Sequence, residues 1–171
     1  MSNHLAFSFD VSRCCGCFAC VVACQDQNDF VSDGVAYRHL TRHETAGRIS
    51  FLSLSCLHCG DAPCLMVCPT GAIFRREQDG VVDVKRDLCI GCHSCELACQ
   101  FGAPKFAADG KMAKCDFCNP RLEYGLIPAC VRVCPTRALD LGPLEKISEQ
   151  KSEKAAAKIL KSLIGAEAAD Q

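Results

Sequence analysis

The sequence predicts an α+β fold of two small modules, built of short strands and short helices, with a helix at the C-terminal end. Three observations support this prediction: cysteines occur in four groups, two of these groups end in similar sequences, and a helical pattern begins after Pro143. Cysteine accounts for 17 of the 171 residues, whereas Trp is absent and only 2 Tyr occur. Because large core-forming side chains are scarce, we expect metal-binding cysteines to organise the centre of each module.

The four cysteine groups share a spacing rule. The first and third groups both read C-x2-C-x2-C-x3-C, and they comprise Cys14, Cys17, Cys20, Cys24 and Cys89, Cys92, Cys95, Cys99. The second and fourth groups keep the first and last steps of that rule, and they comprise Cys56, Cys59, Cys64, Cys68 and Cys115, Cys118, Cys130, Cys134. The groups hold sixteen cysteines, which is the number of thiolates that four [4Fe–4S] clusters require.

This spacing suits iron–sulfur clusters for a geometric reason. Three cysteines on a tight loop can surround one corner of a cluster while backbone N–H groups approach its sulfurs, and Gly16 and Gly91 permit that approach. The fourth cysteine comes where the chain has entered a helix, and it points toward a second cluster. In two-cluster bacterial ferredoxins the last cysteine of each motif serves the other motif's cluster. The predicted modules are therefore bacterial-ferredoxin-like, each around a pair of [4Fe–4S] clusters.

Other uses of cysteine fit the pattern less well. The N-terminal residues lack the basic and apolar regions of a secretory signal, so disulfides are not expected. Zinc sites need two-plus-two pairing and leave the cysteine triplets of the first and third groups unexplained. Cys15 falls outside the spacing and is interpreted as a small buried thiol beside a cluster. His58 and His93 are interpreted as loop residues because each motif already has four thiolates.

The charge of the chain gives no indication of nucleic-acid binding. The formal net charge is −1, and four clusters of about −2 each would make the loaded protein distinctly acidic. The basic residues near the motifs either offset this charge or are ordinary solvated loop residues: Arg13, Lys85, Arg86, Lys114, Arg121, Arg132 and Arg137. No apolar run is long enough to span a membrane. We therefore expect no direct membrane insertion and a cytoplasmic location, with export on a signal-bearing partner as the alternative.

Short elements are predicted between the motifs. Alternating apolar and polar residues predict strands over Leu5–Val11 and Gly80–Val84, each leading into a cysteine loop. Helical turns are predicted over Phe18–Gln27 and Cys95–Phe101. From Pro143 to about Ile164, apolar residues at helical spacing predict a tail helix. This helix either packs on the protein's own modules or docks on another subunit.

The second and fourth groups end alike, in Cys68-Pro69-Thr70-Gly71-Ala72 and Cys134-Pro135-Thr136-Arg137-Ala138. This internal repeat implies two related modules. The order of the motifs leaves two arrangements open, because consecutive motifs can share a module or the central pair can be inserted between the outer pair.

Six segments match a known family: Leu54-Ser-Cys-Leu-His-Cys59, Cys68-Pro-Thr-Gly-Ala72, Asp87-Leu-Cys-Ile-Gly-Cys92, Gly102-Ala-Pro104, Lys114-Cys-Asp-Phe-Cys118 and Cys134-Pro-Thr-Arg-Ala-Leu-Asp-Leu-Gly-Pro143. Through them, most of the chain resembles the iron–sulfur electron-transfer subunits of the dimethyl-sulfoxide reductase group of molybdenum and tungsten bis-pterin enzymes. The resemblance implies a non-catalytic subunit with four [4Fe–4S] clusters and no catalytic residues of its own. It also implies a large molybdenum- or tungsten-pterin catalytic partner, and a further subunit or anchor that donates or accepts electrons.

The resemblance implies a ligand set for each cluster. The sets are cluster 1, Cys14, Cys17, Cys20 and Cys134; cluster 2, Cys24, Cys115, Cys118 and Cys130; cluster 3, Cys56, Cys59, Cys64 and Cys99; and cluster 4, Cys68, Cys89, Cys92 and Cys95. Residues 1–30 and 106–142 would then form an outer module, residues 50–105 an inserted module and residues 143–171 a helical tail. In the family the outer pair of clusters lies nearer the pterin subunit.

Two alternatives remain beside this interpretation. Some tungsten aldehyde-oxidoreductase complexes use a similar four-cluster subunit, and the cysteine motifs do not distinguish the two kinds of partner. A free-standing polyferredoxin that shuttles electrons between enzymes would need the same motifs. Gln100 follows Cys99 where the family usually has proline, which leaves ligation unaffected but changes the end of that helix.

Overall fold

The computed structural model describes residues 4–29 and 35–167, so the predicted boundaries at residues 1, 30 and 171 lie outside it. The helices are α1 (Ala19–Gln27), α2 (Pro63–Met66), α3 (Ser94–Ala98), α4 (Asn119–Glu123), α5 (Ala129–Arg132) and α6 (Leu144–Glu167). The strands are β1 (Leu5–Phe9), β2 (His39–Thr45), β3 (Arg48–Leu54), β4 (Ile73–Arg75), β5 (Val82–Val84), β6 (Lys105–Phe106), β7 (Met112–Ala113) and β8 (Leu139–Pro143). The predicted α+β class, with short elements and a C-terminal helix, is confirmed.

The described strands form four antiparallel pairs, which are β1 with β8, β2 with β3, β4 with β5 and β6 with β7. The β1–β8 pair joins the first described strand to the last, with Leu5 opposite Pro143 and Phe9 opposite Leu139. Helix α1 packs against α5, and α2 packs against α3. The first and fourth cysteine groups consequently lie together, as do the second and third.

Most of the elements predicted from periodicity are present. The predicted strands correspond to β1 and β5, and the helix predicted over Phe18–Gln27 corresponds to α1. The prediction over Cys95–Phe101 is wrong for its last three residues, because α3 ends at Ala98 and Cys99 has an extended backbone, with φ −85° and ψ 113°. Cys99 instead receives a hydrogen bond on its sulfur from the Ala103 N–H, so its side chain anchors a loop rather than a helical turn.

Thiols make up much of the interior. The buried cores are small, and each combines cysteines with a few apolar side chains. The buried cysteines are Cys20, Cys24, Cys56, Cys95, Cys115, Cys118 and Cys130. Two-stranded sheets and helices of one or two turns bury little apolar surface, so the cysteine loops carry an unusual share of the packing.

The tail helix α6 packs on the rest of the protein through its first turns. Ile147 is buried, and the helix packs against β1 and β8. Further along, the apolar side chains Ile159, Leu160, Leu163 and Ile164 are each more than half exposed. No described helix is long and apolar enough to cross a membrane.

A substitution at Gly91 tests how tightly the third cysteine loop is folded. Gly91 has φ 68°, and a Cβ placed there would lie 2.5 Å from the backbone oxygen of Gly110. Gly71 has a similar φ of 64° but open space around it. We expect Gly71→Ala to lower the free energy of unfolding by about 1 kcal/mol, the cost of a left-handed alanine, and Gly91→Ala by about 3 kcal/mol. Anaerobic urea unfolding followed by circular dichroism measures both, and equal losses would show that the contact with Gly110 is unimportant.

Candidate metal centres

Three pockets are each lined by at least four cysteines. The Cys14 pocket, about 300 Å³ in volume, is lined by Cys14, Cys17, Cys20 and Cys134, with Cys15 beside them. The Cys56 pocket, about 520 Å³, is lined by Cys56, Cys59, Cys64 and Cys99. The Cys89 pocket, about 320 Å³, is lined by Cys68, Cys89, Cys92 and Cys95. Each pocket combines three cysteines from one sequence group with a fourth from another group.

Four further cysteines lie near one another in the interior and form the Cys115 group: Cys24, Cys115, Cys118 and Cys130. Burial, followed by the neighbouring Cys130 thiol, raises the pKa of Cys24 to about 12. Burial and the same neighbour also raise the pKa of Cys118. This group again takes three members from one motif and one from another, and helix α1 supplies the single member.

The loops at Cys14 and Cys89 have the same local geometry. A strand and a 3-10 turn precede each loop, the turns being Val11–Arg13 and Arg86–Leu88, and a helix follows it. The loops contain left-handed residues at corresponding positions, with φ 72° at Gly16, 61° at Phe18, 68° at Gly91 and 62° at His93. Both glycines therefore have positive φ, and the repeated geometry extends to the residue before each helix.

Backbone N–H groups point at several of the sulfurs. The Ala138 N–H donates to the sulfur of Cys134 at 3.2 Å, and the Met112 N–H donates to that of Cys89 at 3.3 Å. Burial acts to raise the pKa of Cys134, but hydrogen bonds from the Leu139 backbone and other nearby groups lower it overall. Such donors favour a sulfur that carries negative charge.

The Cys-Pro-Thr repeat predicted from sequence is also a geometric repeat. The sulfurs of Cys68 and Cys134 each lie 3.7 Å from a threonine hydroxyl, that of Thr70 and Thr136 respectively. The residue after each threonine is left-handed, with φ 64° at Gly71 and 52° at Arg137. The two loops therefore hold their cysteines in the same way although only one of them uses glycine.

The chain is similar to known proteins that contain iron–sulfur clusters. Residues 47–144, more than half of the chain, match the family model of a 4Fe-4S dicluster domain. The B subunit of the anaerobic dimethyl sulfoxide reductase of Escherichia coli (strain K12) is 40% identical over 91% of this chain and 82% of its own length. The corresponding B subunit of Haemophilus influenzae is 38% identical over 85% of this chain and 77% of its own length. Protein NrfC of Escherichia coli is 43% identical over 84% of this chain and 67% of its own length.

The chain belongs to the 4Fe-4S dicluster family. This membership confirms the predicted resemblance to the iron–sulfur subunits of dimethyl-sulfoxide reductase, together with the prediction of [4Fe–4S] clusters and of an electron-transfer role.

The lining of the cysteine pockets suits the clusters of this family. Within the described residues, no three His, Cys, Asp or Glu side chains are placed to hold one metal ion. A zinc ion needs its thiolates on bonds of about 2.3 Å, whereas a cluster holds one thiolate at each of four separate irons and keeps them further apart. Pockets that are each lined by four cysteines, with backbone N–H groups directed at some of the sulfurs, fit a dicluster protein.

The extra cysteine and the two histidines near the dicluster motifs differ in how far they are exposed. Cys15 is exposed, so the interpretation as a buried thiol is wrong, because its side chain lies at the rim of the Cys14 pocket. His93 is about half exposed, and its Nδ1 lies 2.8 Å from a carboxylate oxygen of Glu96. Its ring also stacks on that of Phe106, consistent with a loop residue.

His58 is buried and has one unpartnered nitrogen. Its Nδ1 accepts a hydrogen bond from the Val82 N–H at 3.1 Å, so a neutral ring carries its proton on Nε2. Burial, followed by the charge of Lys114, lowers the pKa of His58 to about 2, which keeps the ring neutral. Among the described atoms the buried Nε2 has no hydrogen-bond partner. Because His58 lines the Cys56 pocket, this N–H suits a pocket that holds a sulfur-rich group.

One charged residue near the dicluster motifs was missed by sequence reasoning. Arg38 is only 2% exposed, and it reaches the cysteine interior from the connector before β2. It lies in a cysteine-free stretch of the sequence, where its identity carries no local signal of burial. The nearby hairpin of β2 and β3 explains its position, because β3 ends directly before Ser55 and Cys56.

The two loop histidines offer a matched test of burial. In His58→Phe the Val82 N–H loses its acceptor and stays buried, which should lower the free energy of unfolding by about 1–3 kcal/mol. In His93→Phe only exposed contacts are lost, so the change should stay within about 0.5 kcal/mol. Anaerobic urea titration of both variants measures the difference. A His93 variant at least as destabilised as the His58 variant would contradict the structural role of the Val82 hydrogen bond.

Proposed function

We propose that the chain relays single electrons through four [4Fe–4S] clusters, to or from a molybdenum- or tungsten-pterin catalytic subunit. The observation that carries the proposal is the grouping of sixteen cysteines into four sets, each drawn from two sequence groups. A family model that describes two clusters matches residues 47–144, and the remaining cysteine group, at Cys14 to Cys24, lies outside this range.

The proposed ligands follow the four sets. Cluster 1 would lie in the Cys14 pocket, cluster 2 in the Cys115 group, cluster 3 in the Cys56 pocket and cluster 4 in the Cys89 pocket. The proposed domain organisation has residues 1–30 and 106–142 as an outer module around clusters 1 and 2, with residues 50–105 inserted around clusters 3 and 4 and residues 143–171 as the tail. Pairing of β1 with β8 and packing of α1 on α5 support the outer module, and packing of α2 on α3 supports the inserted one.

The buried cores support a linear order of clusters. One core contains Cys20 and Cys130 and so links the proposed sites of clusters 1 and 2. A second core contains Cys115 and Cys56, which links clusters 2 and 3. A third contains Cys95 with Cys64 packed against it, which links clusters 3 and 4. Electrons would therefore pass from 1 to 4, or in the reverse direction, through consecutive neighbours.

The clusters supply the one-electron chemistry, and the protein adjusts it. Burial, hydrogen bonds to sulfur and nearby charges set the potential of each cluster. In this chain those influences are the buried Cys115 group, the N–H donors at Cys89 and Cys134, and the internal cations. Bond-making chemistry belongs to the proposed catalytic partner.

Exposed apolar side chains support partners at both ends of the relay. Near the exposed Cys17 the side chains of Phe18 and Val22 are at least half exposed. Near the exposed Cys92 the side chains of Ile90 and Leu97 are 67% and 87% exposed. Apolar surface around a redox centre suits protein docking, so we assign one end to the pterin subunit and the other to a further electron donor or acceptor.

The proposed location is the cytoplasm, where thiols remain reduced.

Metal analysis of serine variants tests the cluster count and the ligands. We expect about sixteen iron and sixteen acid-labile sulfide atoms per chain in the anaerobic protein, with little zinc. Cys17→Ser should lower the iron content or alter one cluster, because it removes a proposed ligand. Cys15→Ser should leave the iron content unchanged and serves as the control, since Cys15 lies beside the same pocket. A zinc-rich protein, or equal iron loss in both variants, would argue against the proposed sites.

Capture of the intact complex tests the partner. Gentle anaerobic affinity purification of the tagged chain should recover a large subunit that contains a bis-pterin cofactor with molybdenum or tungsten. A subunit related to tungsten aldehyde oxidoreductases would identify the alternative complex. Recovery of the chain alone as a stable monomer that carries its full iron complement would favour a free-standing shuttle.

A further inference from the structure

Arg38 is a cation held inside the protein by neutral groups. Its side chain is almost fully buried, with 2% of its surface exposed. The guanidinium donates to the hydroxyl of Ser53 at 3.1 Å and to that of Ser55 at 2.8 Å, and it lies 4.7 Å from the centre of the Phe7 ring. These contacts orient the guanidinium but supply no negative charge.

A second buried cation, Lys114, is held in a comparable way. It is 4% exposed, and its Nζ donates to the backbone oxygens of Val82 and Cys115. Neither Arg38 nor Lys114 forms a salt bridge with a described carboxylate. Arg76 is also buried, but it pairs with Asp79 and Asp83. Two buried cations therefore lack the partner that the third one has.

An unpaired charge in a protein interior is costly because it has lost its hydration. A buried cation is stable when an anion lies near it, and the candidates near Arg38 and Lys114 are thiols. An oxidised [4Fe–4S] cluster together with its four thiolate ligands carries a net charge of about −2, which would supply the missing negative charge.

Arg38 lies among the thiols proposed for clusters 1 and 2. Its guanidinium lies over the Phe7 ring, and Phe7 packs against the core that holds Cys56 and Cys115 as well as the core that holds Cys20 and Cys130. Arg38 also reaches the first set indirectly, because the Ser53 hydroxyl that it contacts lies 3.5 Å from the sulfur of Cys20.

Lys114 lies between the sets proposed for clusters 2 and 3. It donates to the backbone oxygen of Cys115 and to that of Val82, which lines the Cys56 pocket. The two cations thus occupy the first and second junctions of the proposed linear order.

We propose that Arg38 and Lys114 are internal counter-charges of the relay, which raise the reduction potentials of the clusters they adjoin. Arg38 acts at clusters 1 and 2, and Lys114 acts at clusters 2 and 3. The inference rests on the proposed function, since it needs clusters in the four sets. Reduction adds one electron to a cluster, delivered by a neighbouring cluster or by the partner protein, and a nearby cation in a medium of low dielectric constant stabilises the added charge.

Redox titration of variants of the full-length chain tests this proposal. Midpoint potentials are measured anaerobically by electron paramagnetic resonance in the wild type and in Arg38→Gln, Arg38→Lys and Arg42→Gln. Arg42 lies on the adjoining strand β2, and its side chain is 54% exposed, so it is a matched control for the loss of one arginine. Ligand variants Cys17→Ser and Cys118→Ser assign signals to clusters 1 and 2.

The expected result is specific to charge. In Arg38→Gln at least one of clusters 1 and 2 should become harder to reduce, by tenfold or more in its equilibrium constant, or about 59 mV for one electron. Arg38→Lys should keep most of the wild-type potential, and Arg42→Gln should match the wild type. Lys114→Gln should shift cluster 3, cluster 2 or both in the same direction while leaving cluster 4 unchanged.

Three outcomes would overturn the proposal. Unchanged potentials in Arg38→Gln at full iron content would exclude the counter-charge role while leaving the relay intact. Equal shifts in Arg38→Gln and Arg38→Lys would assign the effect to shape rather than charge. If Arg38→Gln fails to hold its clusters, the proposal requires that Arg38→Lys retain the wild-type iron content, and equal loss in both would refute it. A wild-type chain without iron–sulfur signals would instead refute the proposed function itself.

Discussion

The fold depends on bringing cysteines from two distant stretches of chain to one place. Each of the four sets joins three cysteines of one group to a single cysteine of another. The strand pairs have two strands each, and most of the helices are one or two turns long, so these elements have little apolar surface with which to stabilise one another. A bound group that ties four thiolates together would act as a crosslink between segments and would contribute directly to the free energy of folding.

The same requirement explains why backbone conformation determines the shape of the cysteine loops. Left-handed residues at Gly16 and Phe18, and again at Gly91 and His93, turn the chain tightly around a centre. At Gly91 the backbone of Gly110 approaches so closely that no side chain fits. Elsewhere the left-handed conformation is kept by residues that tolerate it less well, such as Phe18 and Arg137, which shows that surrounding contacts impose the turn.

The sequence predicts the features that depend on residues close together in the chain, and it does not predict those that depend on distant residues. The cysteine spacing, the Cys-Pro-Thr repeat and the strands before the cysteine loops are short-range patterns, and the sequence reveals them because each follows from backbone geometry over a few residues. The exposure of Cys15 and the early end of α3 depend on neighbours that spacing does not reveal. The burial of Arg38 is the clearest case, since Arg38 lies in a cysteine-free stretch of the sequence and only three-dimensional packing places it among thiols.

The pairing of β1 with β8 also affects the order in which the proposed cluster sites become complete during translation. Translation runs from the N-terminus, and the proposed ligands of the inserted pair of clusters are all present once residue 99 has left the ribosome. The Cys14 loop, although made first, lacks its partner Cys134 until most of the chain has emerged, and its strand β1 has no hydrogen-bonding partner until residues 139–143 follow. The earliest-made thiols therefore wait longest, and they are the ones most exposed to oxidation or to stray metals during synthesis.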